Sequence, residues 1–106
     1  MPILEDIRIL EKYIESNGTD ALTKKAIKKL ISHSLQKERR DLARVKEKLD
    51  RFEKKYGMSS AQFHERFHHG ELGDAEDSFV WDALFETSER IAARIELLKG
   101  QDRHRE

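Results

Sequence analysis

His64-Glu65-Arg66-Phe67-His68 fits the pattern H-E-x-x-H. On a helix this spacing puts two imidazoles one turn apart on one face. In zinc proteases the Glu between them acts as general base. Such a site needs a third protein ligand and a position for water. The long form of the motif would place Gly at position 71 and His at position 74, where this chain has Glu71 and Asp74. The two histidines therefore read as a solvated face opposite Phe63 and Phe67. His64, His68 and His69 are left with adventitious metal binding. No catalytic residue, resident metal or cofactor is expected, and the chain reads as a non-enzyme.

Other reactive constellations are weaker still. There is no Cys, hence no thiol nucleophile and no disulfide framework. Ser59, Ser60 and Ser78 lack a triad setting. Glu71, Asp74, Glu76 and Asp77 have neither calcium-loop nor paired-carboxylate spacing. They read as a loop that brings negative charge to a helix N-terminus. Trp81 and Phe85, at helical spacing, read as core.

The elements that must position these residues are helices. The chain of 106 residues has the size of one domain, and 40% of it is charged. Apolar residues must then be confined to narrow stripes, as on amphipathic helices. Residues 1–18 hold a first helix, with Ile3, Ile7, Leu10 and Ile14 spaced four, three, four. Asn17-Gly18 ends it. Residues 19–57 hold a long helix, capped by Thr19 or Asp20 and stopped by Gly57. Its second half carries Ile31, Leu35, Glu38, Leu42, Val45, Leu49, Phe52 and Tyr56 in strict four-three alternation, a coiled-coil seam. Residues 58–77 hold a short helix, opened by the Ser59/Gln62 capping box and stapled by Met58, then an acidic loop. Residues 78–100 hold a fourth helix with the seam Trp81, Leu84, Ser88, Ile91, Ile95 and Leu98. Residues 101–106 form a polar tail that should fray. The two seams predict an all-α antiparallel helical hairpin in a single helical domain. The first helix should fold back on residues 20–34. Ile3, Leu4, Leu30 and Phe85 are candidates for apolar surface left uncovered, which predicts a homodimer.

Charge is segregated along the chain. Residues 20–56 carry thirteen basic and six acidic side chains, and residues 57–106 six basic and eleven acidic. The first expectation is mutual compensation between the hairpin arms. The second is a nucleic-acid surface built from Arg39, Arg40, Arg44, Lys48 and Arg51 on the long helix. No aromatic residues interleave with these cations and no helix-turn-helix signature occurs, so base-specific readout is unsupported. No apolar run approaches the ~20 residues of a membrane span. Glu5, Asp6 and Arg8 interrupt the N-terminal apolar residues, so no secretory signal is read, and a cytoplasmic location is the expectation.

The strings Tyr56-Gly57-Met58-Ser59-Ser60 and Gly70-Glu71-Leu72-Gly73-Asp74, with Phe63, Phe67 and Trp81 between and after them, resemble a family of small bacterial and archaeal helical proteins. That family is associated with toxin–antitoxin gene pairs, as the antitoxin member. The resemblance implies a protein-binding module that occludes a partner, which could be a toxin encoded nearby, and needs no catalytic group. It implies partner contacts at Phe63, Phe67, Glu71, Leu72, Asp74, Asp77 and Trp81. It also implies that other residues usually fill the positions of His64, His68 and His69.

Overall fold

The structure is a computed structural model that describes residues 2–71 and 76–100. Among these residues it has four helices and no strand, so the protein is all-α. They are α1 (Pro2–Asn17), α2 (Ala21–Tyr56), α3 (Ser60–His68) and α4 (Glu76–Leu98). None of them is long and apolar enough to cross a membrane. The expected tail and the positions of Leu72, Gly73 and Asp74 lie outside the described residues.

The helix ends follow local chemistry. Pro2 opens α1, where a missing N–H costs nothing. Gly18, at φ 73°, closes it with its N–H 2.7 Å from the Ile14 carbonyl. Asp20 is the N-cap of α2: its Oδ1 accepts from the Thr23 N–H at 2.7 Å. That bond holds the Asp20 carboxyl below its ordinary value. At α3 both halves of the capping box form, the Gln62 N–H donating to Ser59 Oγ and the Ser59 N–H to Gln62 Oε1.

The chain divides into two compact units, residues 1–32 and residues 33–106. Among the described residues of the first unit no side chain is buried. Leu10, Tyr13 and Ile14 of α1 line a shallow groove at the turn together with Thr23 of α2. Ile3 and Ile7, the rest of the α1 stripe, face solvent at 58% and 54% exposure. Leu4, Leu22 and Leu30 are exposed too. The start of α2 therefore does not cover the apolar face of α1.

The second unit is the hairpin. Arg94 donates twice to Glu38 Oε1, at 3.1 and 3.0 Å, and Lys55 donates to Asp77 Oδ2 at 2.9 Å. From 38 to 55 on α2 and from 94 back to 77 on α4 is seventeen residues each way, so the register is antiparallel without a slip. Glu38, the one polar residue of its seam, is thus the acceptor for Arg94. Ser88, the polar seam residue of α4, is buried and returns its hydroxyl to the Phe85 carbonyl at 2.6 Å.

Ile91 and Ile95 are buried along α4, and the aromatic-rich cluster of the core sits at the corner end of this hairpin. Leu49, Phe63 and Trp81 form it, with Val45, Phe52, Met58, Phe67, Leu84 and Phe85 packed around them. Trp81 is 2% exposed. Its ring stacks on Phe63, centroids 3.9 Å apart and 7° from parallel, and lies 5.5 Å from both Phe52 and Tyr56. Phe85 is half-buried against this core, not on an uncovered surface, because α3 covers the flank of α4 that carries it.

The arms compensate each other less than their net charges suggest. Lys37 and Arg44 pair with Asp41, Arg51 with Glu47, and Lys54 with Asp50, all within α2. Lys55–Asp77 and Arg94–Glu38 are the pairs that join the two arms among the described residues. Solvent screens the exposed Lys55–Asp77 pair, while Glu38 is half-buried under Arg94.

Tyr56 supports the inter-arm pair at the corner. Its hydroxyl donates to Asp77 Oδ2 at 2.6 Å. The Tyr56 hydroxyl first, and the Lys55 ammonium second, hold the Asp77 carboxyl below its ordinary value of 3.8. A depressed folded-state pKa contributes stability above the unfolded value and loses it as pH falls through the folded value. Tyr56→Phe should therefore raise the Asp77 titration midpoint toward 3.8 while leaving Lys55 in place. Side-chain carboxyl NMR against pH reads this, and an unmoved midpoint would show that the phenol does not hold the carboxylate.

Candidate functional site

α3 is nine residues long and presents two faces. Phe63 and Phe67 point to the core, as their spacing requires. His64 and His68 do not face open solvent. They point toward α4, where Asp82 and Glu86 form a matching pair one turn apart. His64 Nδ1 lies 2.6 Å from Asp82 Oδ1, and His68 Nε2 lies 3.0 Å from Asp82 Oδ2 and 3.8 Å from Glu86 Oε2. Asp82 is 7% exposed, and both its oxygens are engaged. The solvated face expected for the histidines is thus closed on one side by α4.

The cluster is held from below by aromatic packing. The His64 ring lies 5.0 Å from Phe85 and 4.3 Å from His68, and the His68 ring meets Phe67 edge-on. Glu65, the general base of the protease pattern, is exposed and takes no part in the cluster. His69 does not join it either. It caps α3, and its N–H reaches the Glu65 and Arg66 carbonyls. Two imidazoles and two carboxylates in this arrangement can exchange hydrogen bonds, share protons or hold a cation.

A second polar group lies buried beside the core. Trp81 Nε1–H donates to Ser60 Oγ at 2.8 Å, and Ser60 Oγ–H donates to Glu53 Oε2 at 2.7 Å. The Ser60 N–H donates to the same oxygen at 2.9 Å. Ser60 is the first residue of α3, so its N–H is one of the donors a helix leaves without an internal acceptor. Glu53 supplies that acceptor from α2. The Ser60 hydroxyl, donating to Glu53 and accepting from Trp81, is fully engaged where it is buried.

The partner contacts implied by the family resemblance are dispersed. Phe63, at 3% exposure, and Trp81 are enclosed in the core and cannot meet a partner on the folded surface. Phe67 is half-buried, and Phe79 meets it edge-on at 5.3 Å. Asp77 is occupied by Tyr56 and Lys55. Glu71 is exposed, and Leu72 and Asp74 lie outside the described residues. Phe63 and Trp81, which the resemblance would set against a partner, pack the corner.

Of the five basic residues singled out on α2, all are exposed. Arg44 and Arg51 pair with carboxylates on their own helix. Arg39, Arg40 and Lys48 have no carboxylate within ion-pair distance among the described residues. Lys48 and Arg51 flank an open groove floored by Phe52, Val80 and Leu84.

Sequence reasoning missed Glu53, Ser60, Asp82 and Glu86. The signal for the last two was present: Asp82 and Glu86 repeat on α4 the four-residue step of His64 and His68 on α3. No family model matches the chain, and neither the curated proteins nor the solved structures hold a match to it.

Proposed function

We propose that this chain is a non-enzymatic protein-binding module that works as a pair of identical chains. The observation that supports this is the bare apolar face of the first unit. Ile3, Leu4, Ile7, Leu10, Leu22 and Leu30 are all exposed there. On α1 these residues recur at three- and four-residue steps, which is the pattern of a helix that packs on another helix. A contiguous apolar stripe with no cover is rare on a monomer.

Charge points to a second copy as the occupant. α1 carries Glu5, Asp6, Glu11 and Glu15 against Arg8 and Lys12. The start of α2, residues 20–32, carries Lys24, Lys25, Lys28 and Lys29 against Asp20. In an antiparallel pair the acidic α1 of one copy faces the basic turn of the other. Such complementarity sets orientation and partner choice. The resemblance to antitoxin-type proteins fits a dimer of this kind, which occludes a protein partner and needs no catalytic group.

The test is sedimentation equilibrium on the untagged protein at micromolar concentration, in low and in high salt. Twice the 12.5 kDa chain mass is expected in both. A 12.5 kDa species at every concentration would remove the proposal.

A second reading rests on the exposed Arg39, Arg40 and Lys48. It makes the basic long helix an architectural nucleic-acid binder. Phosphate contacts would give it a log–log salt slope near −0.9 per contacted phosphate on duplex DNA. An apolar dimer interface has no comparable slope, so one salt series on protein with and without duplex separates the two readings.

A further inference from the structure

We propose that His64, His68, Asp82 and Glu86 form a structural site for one divalent transition-metal ion, with zinc the ion their donor set fits best. Each helix contributes a pair of side chains one turn apart: two imidazoles from α3 and two carboxylates from α4. The four ligand atoms lie within 4.8 Å of one another. Zinc held tetrahedrally by nitrogen and oxygen at about 2.0–2.1 Å needs ligand atoms about 3.3 Å apart. His68 Nε2 lies 3.0 Å from Asp82 Oδ2 and 3.8 Å from Glu86 Oε2, on either side of that value, and His64 Nδ1 lies 2.6 Å from the other Asp82 oxygen. Side-chain shifts of well under a turn of helix would complete the sphere.

The electrostatics favour a dication. Imidazole binds metal in its neutral form. With neutral imidazoles the two carboxylates leave the cluster at net −2, and one of them, Asp82, has a side chain only 10% exposed. A buried carboxylate needs compensation, and a divalent ion placed among these four atoms supplies it. Asp82 is also already oriented, because both its oxygens point at the two imidazoles. The open side of the cluster, where the side chains of His68 and Glu86 are 50% and 46% exposed, gives an ion its way in.

Four protein ligands and a general-base position, Glu65, that lies outside the cluster describe a closed structural site and not a hydrolytic one. Its effect is to fasten α3 to α4 at the corner. This does not depend on the dimer, because all four ligands belong to the second unit of one chain.

The test uses untagged, chelator-treated full-length protein, titrated with zinc by calorimetry and with cobalt by visible absorption. One equivalent of zinc per chain is expected, with a rise in the thermal unfolding midpoint. Cobalt should give the intense absorption of a four-coordinate ion. His68→Asn and Glu86→Gln alter half-exposed side chains, so both variants should keep the helical circular dichroism of the parent. Each should weaken zinc binding by more than about tenfold, since even loss of a residue behind the ligands costs 10–100-fold. His69→Asn should bind as the parent does. Absence of saturable zinc uptake at micromolar concentration would overturn the proposal. So would unchanged affinity in His68→Asn, or an equal loss in His69→Asn, either of which leaves an adventitious ion only.

Discussion

Trp81→Ala should remove a large share of the stability of the hairpin corner. Trp81 is the most enclosed large side chain of the described residues, stacked on Phe63 and flanked by Phe52 and Tyr56. Truncating a buried Trp removes its transfer free energy and leaves a cavity, at a cost of about 3–5 kcal/mol. A domain of this length has about 5–15 kcal/mol in total. The cavity would lie where α2, α3 and α4 meet, so none of the three can move in to fill it without losing its own contacts. Trp81→Phe keeps a stacked ring and loses the indole N–H bond to Ser60, so its cost should be a fraction of the alanine cost. Urea unfolding followed by far-ultraviolet circular dichroism measures both, since the chain has a single Trp and loses that fluorophore in each variant. Equal, small losses for the two variants would mean that the stack does not hold the corner.

Glu53→Ala should also be damaging, though Glu53 is only half-buried and charged. One of its oxygens accepts both the N–H and the O–H of Ser60. Removing it strands a helix-start N–H and a buried hydroxyl that in turn accepts from Trp81. A stranded buried polar group costs about 1–3 kcal/mol. Glu53→Gln retains an amide oxygen that can accept both bonds without charge, so its loss should fall between wild type and alanine. The order wild type, Gln, Ala in urea midpoint is the expected result. A Gln variant as unstable as the Ala variant would assign the effect to charge and not to the acceptor.

The two buried groups behind these predictions show where sequence reading stops. The seams on α2 and α4 are legible because a four-three apolar period survives in any helical context, and the polar Glu38 and Ser88 do not interrupt it. The capping box of α3 is legible because its partners are three residues apart. Glu53, Ser60 and Asp82 are not legible in this way. A polar residue inside a helical pattern reads as surface, and its burial appears only when the partner arrives from another helix. Ser60 finds its acceptor seven residues upstream across the corner, and Asp82 finds its imidazoles eighteen and fourteen residues away. The same limit explains Phe63 and Trp81. Aromatic residues flanking an acidic loop are consistent with a docking patch or a core, and only the third helix folding over the fourth decides between them. For His64 and His68 the helical spacing was correct, and the carboxylates that face them came from α4.

The first unit differs in kind. Its helices form as their periods and caps dictate, yet the stripe they build is exposed among the described residues. A protein-binding role rests on that stripe, so the most direct measurement removes it. Light scattering coupled to size exclusion should be run on wild type and on the Ile7→Glu/Leu10→Glu double variant. Both substitutions fall on exposed positions of α1 and replace none of the residues that form the core of the second unit. A mass of twice 12.5 kDa is expected for wild type and of 12.5 kDa for the variant, with thermal unfolding of the hairpin unit retained. A variant that keeps the wild-type mass, whatever that mass is, would contradict the account, because the face would then not be where this chain binds.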